Sequence, residues 1–215
     1  DRLALLFQLH IEYENGEQEV ICSDEEWKAA PSPILMSEIY HGETYDARLE
    51  QAGWSEPDFA DSAWQPVDII DHAKDILIAQ ENVPVRVVNE LVPLKKWITP
   101  KGELVLDMGQ NMVGWIRFQV QGEAGQEVVL QHAEILDRDG NFYTGNLRTA
   151  KQEIRYILKG GGVETFEPHF TFQGFRYLKL TGIDEQDVQL EHFKGMVLHS
   201  DMERTGSFEC SDPKI

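Results

Sequence analysis

Apolar and polar positions alternate with a period of two along most of this chain, the spacing of strands whose side chains point to opposite faces of a sheet. In "LFQLHIEYENGEQEVIC" two such runs meet at Glu14-Asn15-Gly16, where Asn-Gly supplies the positive φ angles of a tight hairpin turn. In "VGWIRFQVQGEAGQEVVLQHAEIL", Ile116, Phe118 and Val120 share one face and Arg117, Gln119 and Gln121 the other. The Gly122–Gly125 turn then leads back into a strand over Val128–Ile135. "QEIRYILKGGGVETFEPHFTFQGFRYLKLTG" repeats the pattern, with Gly160-Gly161-Gly162 as the turn and a long strand over Phe170–Leu180. "VQLEHFKGMVLHS" and "ERTGSFEC" predict a last pair. Helical signal is confined to one short turn capped by Ser55. The pattern predicts an all-β, sandwich-like chain.

Part-way along the chain the texture changes. "DIIDHAKDILIAQENVPVRVV" runs from charged to apolar and then to Pro84, which places a domain boundary near residues 72–82. With 215 residues, 41% apolar and 10% aromatic, the chain is rich enough to bury a core and too rich for disorder. Nineteen Lys+Arg against 38 Asp+Glu give a formal net charge of -19, which repels phosphate backbones and anionic headgroups. Nucleic acid and membrane are therefore poor partners, whereas a neutral sugar meets no such penalty. Cys22 and Cys210 stand far apart and read as free thiols. The abrupt "DRLALLFQLHIEY" and "FECSDPKI" ends suggest a piece of a longer protein.

Several chemistries find little support. "LDRDGNFYTGNL" opens like a calcium loop, but Gly140 comes too early and Arg148 stands at the twelfth position, so it reads as a polar turn. The seven histidines, His132 among them, form no zinc spacing and read as core or surface residues. "KGGGVE" lacks the Lys-Ser/Thr of a phosphate loop, and no GxSxG elbow is present. No metal and no cofactor are expected. In "DMGQNMVGW", Asp107 suggests either an acid or a hydrogen-bonded turn joining Glu103–Asp107 to Val113–Gln121. The residues best suited to a sugar are Glu38, Tyr40, His41, Glu43, Tyr45 and Asp46. There aromatic faces would stack on C–H groups while the acids bond hydroxyls. The alternative is an edge strand with a polar outer face.

Taken in order, the longer motifs resemble one family. "SDEEWKAAPSPILMSEIYHGETYDARLEQAGWSEPDFADSAWQPV" is similar to the end of the N-terminal jelly roll of bacterial α-L-rhamnosidases, glycoside hydrolase family 78. "LDMGQNMVGWIRFQVQ" through "YLKLTG" resembles the β-sandwich that follows it, and "HSDMERTGSFECSD" resembles the lead-in to the catalytic domain. The resemblance implies two antiparallel β-sandwich or jelly-roll-like units, the first of them incomplete: a jelly-roll part over 1–75 and a concanavalin-like sandwich over 79–200, followed by a lead-in over 201–215. It also implies a helical catalytic barrel outside this chain, which hydrolyses terminal α-L-rhamnose from rhamnosides with inversion. No residue here matches that family's acid–base motif, so no catalytic residue is expected, and the chain by itself is expected to be inactive. The expected role is support of the barrel, the expected partners that barrel and a rhamnosylated glycan. The alternative is a carbohydrate-binding module acting independently.

Overall fold

The computed structural model describes residues 3–212. Among them run sixteen strands: β1 (Gln8–Glu12), β2 (Gln18–Cys22), β3 (Lys28–Ala29), β4 (Ile34–Glu38), β5 (Gly42–Asp46), β6 (Gln65–Pro66), β7 (Val85–Leu91) and β8 (Lys95–Ile98). They continue as β9 (Leu104–Gln121), β10 (Glu127–Ala133), β11 (Ile135–Leu136), β12 (Phe142–Tyr143), β13 (Glu153–Ile157), β14 (Val163–Phe166), β15 (Gln173–Thr181) and β16 (Phe193–Ser200). The only helical elements among the described residues are four short 3₁₀ turns. The chain is all-β and divides into two compact units.

One unit comprises Asp1–Ser32 and Gln51–Gln80. The Asn15-Gly16 turn joins β1 to β2 as expected, but only Gly16 takes a positive φ (+83°) and Asn15 does not; Leu9 stands opposite Ile21. A second pair, β3 with β6, is pinned by a Lys28–Asp61 ion pair at 2.8 Å and by a Trp64 Nε1–Gln51 Oε1 bond at 2.8 Å. None of the described residues in this unit is fully buried. Two isolated two-stranded ribbons expose too much apolar surface to hold a core of their own.

The other unit comprises Pro33–Glu50 and Glu81–Ile215. The segment 33–50 thus packs with the later strands, although a single cut near residues 72–82 assigns it to the earlier ones. The reason is β5, which pairs parallel to β13 (Glu43 beside Ile154, Tyr45 beside Tyr156), a long-range pairing that no local pattern encodes. The sheet order is β4-β5-β13-β10-β15-β9-β16-β7, with β8 and β14 also pairing β9. The core forms where the alternation predicts: Ile116, Phe118, Val120, Val128 and Leu130 are buried with Tyr156, Leu178 and Phe193. Each such side chain contributes about 1.5–3 kcal/mol of apolar burial.

Two local expectations change. β9 is one strand of 18 residues and not two strands joined by a turn. Its pairing with β15 steps from Asp107–Tyr177 to Met112–Phe175, so Met108–Asn111 bulge opposite Arg176 alone. Residues 201–212 form no strand; β16 finds its partners in β7 and β9 instead.

Candidate functional site

Three segments meet at one end of the second unit: the β4–β5 turn around residues 38–42, the approach to β13 at 148–152, and the approach to β15 at 168–173. Backbone bonds tie the first two, since Lys151 N and Gln152 N donate to the Tyr40 carbonyl and Glu153 N donates to that of His41. Thr171 Oγ1 donates to the Glu38 carbonyl at 3.2 Å and so ties the third segment to the first.

At the centre lies Glu43. It faces inward from β5, is 0% exposed, and accepts from Ser37 Oγ (3.0 Å), His169 N (3.1 Å), His169 Nδ1 (3.1 Å) and Phe170 N (3.2 Å). A buried carboxylate needs such a donor set to remain in the core. Gly42 precedes it at φ +103°, and a Cβ there would lie 1.9 Å from the Glu153 carbonyl oxygen. Only glycine lets β5 approach β13 this closely.

The other residues singled out as sugar ligands divide into inward and outward groups. Glu38 Oε2 accepts from Tyr40 N and His41 N and thereby closes the turn. Tyr45 is buried, stacks on His169 with ring centroids 5.6 Å apart, and donates its hydroxyl to Glu50. Burial and then the Glu50 charge push the Tyr45 hydroxyl well above the ordinary tyrosine range. Asp46 is buried and bidentate to Arg48, whose hydrogen bonds hold its carboxyl below the usual range against the cost of burial. Tyr40 is 67% exposed and faces solvent, as does Phe170 at 74%. Of the six, therefore, Tyr40 offers a free aromatic face, while Glu43, Tyr45 and Asp46 are closed in by structural partners.

The sequence reading missed Thr171, Gln152, Gln173 and Phe170 as members of this site. It left His132 undecided between core and surface. His132 follows Val128 and Leu130 at two-residue steps, so the strand period alone aims it at the core. There it is 0% exposed, donates Nδ1–H to the Gln152 carbonyl at 2.8 Å, and packs edge-on to Phe175. Burial pulls its pKa down to about 4.

The bulge at "DMGQNMVGW" is a separate structural device. Asp107 accepts from Gly109 N and, bidentately, from Arg176 at 2.8 and 3.1 Å. Burial opposes the Asp107 charge, but Arg176 and the Gly109 amide outweigh it and hold the pKa below the usual range. Asn111 does not bond nearby main chain; its amide reaches Glu134 at 3.2 Å.

Residues 98–199 match the bacterial alpha-L-rhamnosidase concanavalin-like domain, and residues 1–89 match the alpha-L-rhamnosidase N-terminal domain. The chain belongs to the α-L-rhamnosidase family. Among the curated α-L-rhamnosidases, one from Streptomyces avermitilis is 46% identical over 217 residues, and one from an Alteromonas species 35% over 214. They align with 100% and 98% of this chain, which spans 21% and 23% of their own lengths. In crystal structures, the S. avermitilis rhamnosidase complexed with L-rhamnose superposes with a TM-score of 0.88 at 45% identity, over 97% of this chain and 20% of that one. The Aspergillus terreus rhamnosidase does so with a TM-score of 0.89 at 40% identity, over 97% and 24%. The chain thus corresponds to the β-rich, non-catalytic region of these rhamnosidases and spans about a fifth of their length.

Proposed function

We propose that this chain is the β portion of an α-L-rhamnosidase, which supports and borders a helical catalytic barrel carried by the rest of the protein. The parent would hydrolyse terminal α-L-rhamnose by inversion, with both catalytic carboxyls outside residues 1–215. On this reading 1–75 belongs to the jelly roll, 79–200 to the concanavalin-like sandwich and 201–215 to the lead-in. The supporting observation is the state of the buried carboxylates. Among the described residues these are Glu43, Asp46, Asp107 and Glu164. Glu164 accepts from Tyr156 Oη, Lys159 N and Gly160 N, and the other three are as firmly held. Inverting hydrolysis needs one carboxyl carrying a proton toward the leaving oxygen and another facing a water. Carboxylates saturated by fixed donors suit neither task. The purified chain should show no turnover of a chromogenic aryl α-L-rhamnoside, while the intact parent does. Turnover by the chain alone would overturn the proposal.

A second reading, sugar binding by the Glu38–Asp46 region, draws support from Tyr40. Its exposed ring stands on a turn tied to the segment that bears exposed Phe170. A sugar would stack on the rings, while Glu38 and His41 line the turn. Calorimetric titration with rhamnose and rhamnosylated glycans should give heat that Tyr40→Ala abolishes. No heat at millimolar sugar leaves the scaffold reading alone standing.

A further inference from the structure

Among the described residues, four buried side-chain atoms have no hydrogen-bond partner in the protein: His41 Nδ1, His132 Nε2, Gln152 Oε1 and Gln173 Oε1. Three lie in the segments of the junction, and His132, on β10, is bonded to one of them. His132 is bonded to Gln152, Gln152 N to the Tyr40 carbonyl next to His41, and Gln173 Nε2 to Thr171 Oγ1 at 2.8 Å. Both non-glycine residues with left-handed backbone, Arg148 (φ 57°) and Gln152 (φ 48°), lie in the same junction.

The chemical sense of the unpaired atoms follows from their neighbours. The Gln152 carbonyl can only accept, so His132 Nδ1 carries the proton and, in the neutral ring, Nε2 is an acceptor. Thr171 Oγ1 already directs its hydrogen to the Glu38 carbonyl, so Gln173 must present its NH₂ to that oxygen and leave Oε1 as an acceptor. Gln152 Oε1 is a third acceptor. Acceptors cannot satisfy one another, and an external ligand does not reach atoms this deeply buried. A partner must be small and must bring hydrogens. Water does both, and polar pockets with two or more unpaired groups hold it.

We propose that the junction of segments 38–42, 148–152 and 168–173 is a binding site for internal water, at least two molecules of which donate between them to His132 Nε2 and to the side-chain oxygens of Gln152 and Gln173. These waters are a positioning element: they clamp the strained 148–152 segment and with it the turn carrying Tyr40 and the segment carrying Phe170.

Two measurements on the chain test this. In nitrogen-15 spectra at neutral pH, His132 should show the Nδ1–H tautomer, with Nε2 at the shift of a hydrogen-bonded unprotonated nitrogen. Water-to-protein cross-relaxation should reveal a long-lived water beside His132. Gln152→Met, which removes one acceptor and keeps the length of the side chain, should lower the urea midpoint of unfolding. If His132 Nε2 shows the shift of a free nitrogen and no long-lived water is seen, the proposal is overturned. It is equally overturned if Gln152→Met leaves the midpoint unchanged or raises it, as removal of a dry, unpaired acceptor would.

Discussion

Glu43 has no surface in contact with solvent, yet four donors from Ser37, His169 and Phe170 converge on it. Its role is to hold the segment before β15 against β5. Truncation to Ala leaves two backbone amides and an imidazole nitrogen without their acceptor. Glu43→Ala should cost about 3 kcal/mol in denaturant unfolding, since breaking a buried, charge-assisted cluster costs more than a neutral bond. A loss below about 0.5 kcal/mol, the range of surface substitutions, would refute this role. His132 sets a pH dependence of definite sign. Its folded pKa is about 4 against about 6.5 when unfolded, so between these values the unfolded chain binds more protons. Its contribution is complete above about pH 6.5 and is lost as pH falls toward 4, with a slope of at most about 1.4 kcal/mol per pH unit. Asp137, held down to about 2 by Asn141, acts in a lower window and does not obscure it. Unfolding curves across this range should be steeper in pH for the wild type than for His132→Phe; equal slopes would rule His132 out.

At the scale of the element, the pairing of β5 with β13 decides which unit holds residues 33–50. Among the described residues the two strands are the only parallel neighbours in the ten-stranded sheet, and Gly42 pairs with Glu153 where a Cβ would meet backbone. A methyl group at Gly42 meets backbone and not a yielding side chain, and it forces a positive φ on an L-residue besides. Gly42→Ala should therefore lower stability by roughly 2–3 kcal/mol and raise amide exchange across Glu153–Ile157. Unchanged protection in β13 would show that the contact relaxes at little cost. The bulge in β9 follows the same logic by other means. The Asp107–Arg176 pair fixes the four looped-out residues, and at Gly114 a Cβ would lie 1.9 Å from the Met196 carbonyl oxygen. In "DMGQNMVGW", Gly114 thus reflects close backbone approach, Gly109 a φ of +84° beside the Leu94 side chain, and the acid anchors an arginine.

For the whole molecule, the contrast between the two units matters most. The second unit buries its apolar face, whereas the first leaves Leu5, Leu9, Val20 and Trp54 largely exposed. In the first unit, among the described residues, β1 pairs only with β2, which leaves both outer edges of that ribbon without a strand partner. The isolated chain should therefore self-associate in a concentration-dependent way, seen by sedimentation velocity. Amides of Gln8–Cys22 should exchange far faster than those of β9, β10 and β15. A monomer at all concentrations with a protected β1–β2 ribbon would show that the first unit is self-sufficient.

The sequence by itself determined the strand period, the tight turn at Asn15-Gly16, and which side of β9 enters the core, whereas His132 reads only as core or surface. These are local properties, written in the sign of each successive side chain. The resemblance of whole motifs carried the family. Tertiary structure alone decided that β5 runs parallel to β13, that "DMGQNMVGW" lies within one bulged strand, and that Glu43 is a buried anchor. Each depends on partners far away in the chain; Glu43 and His169 are 126 residues apart. A carboxylate in a strand reads the same in sequence whether water or four fixed donors surround it, and only the fold supplies the donors.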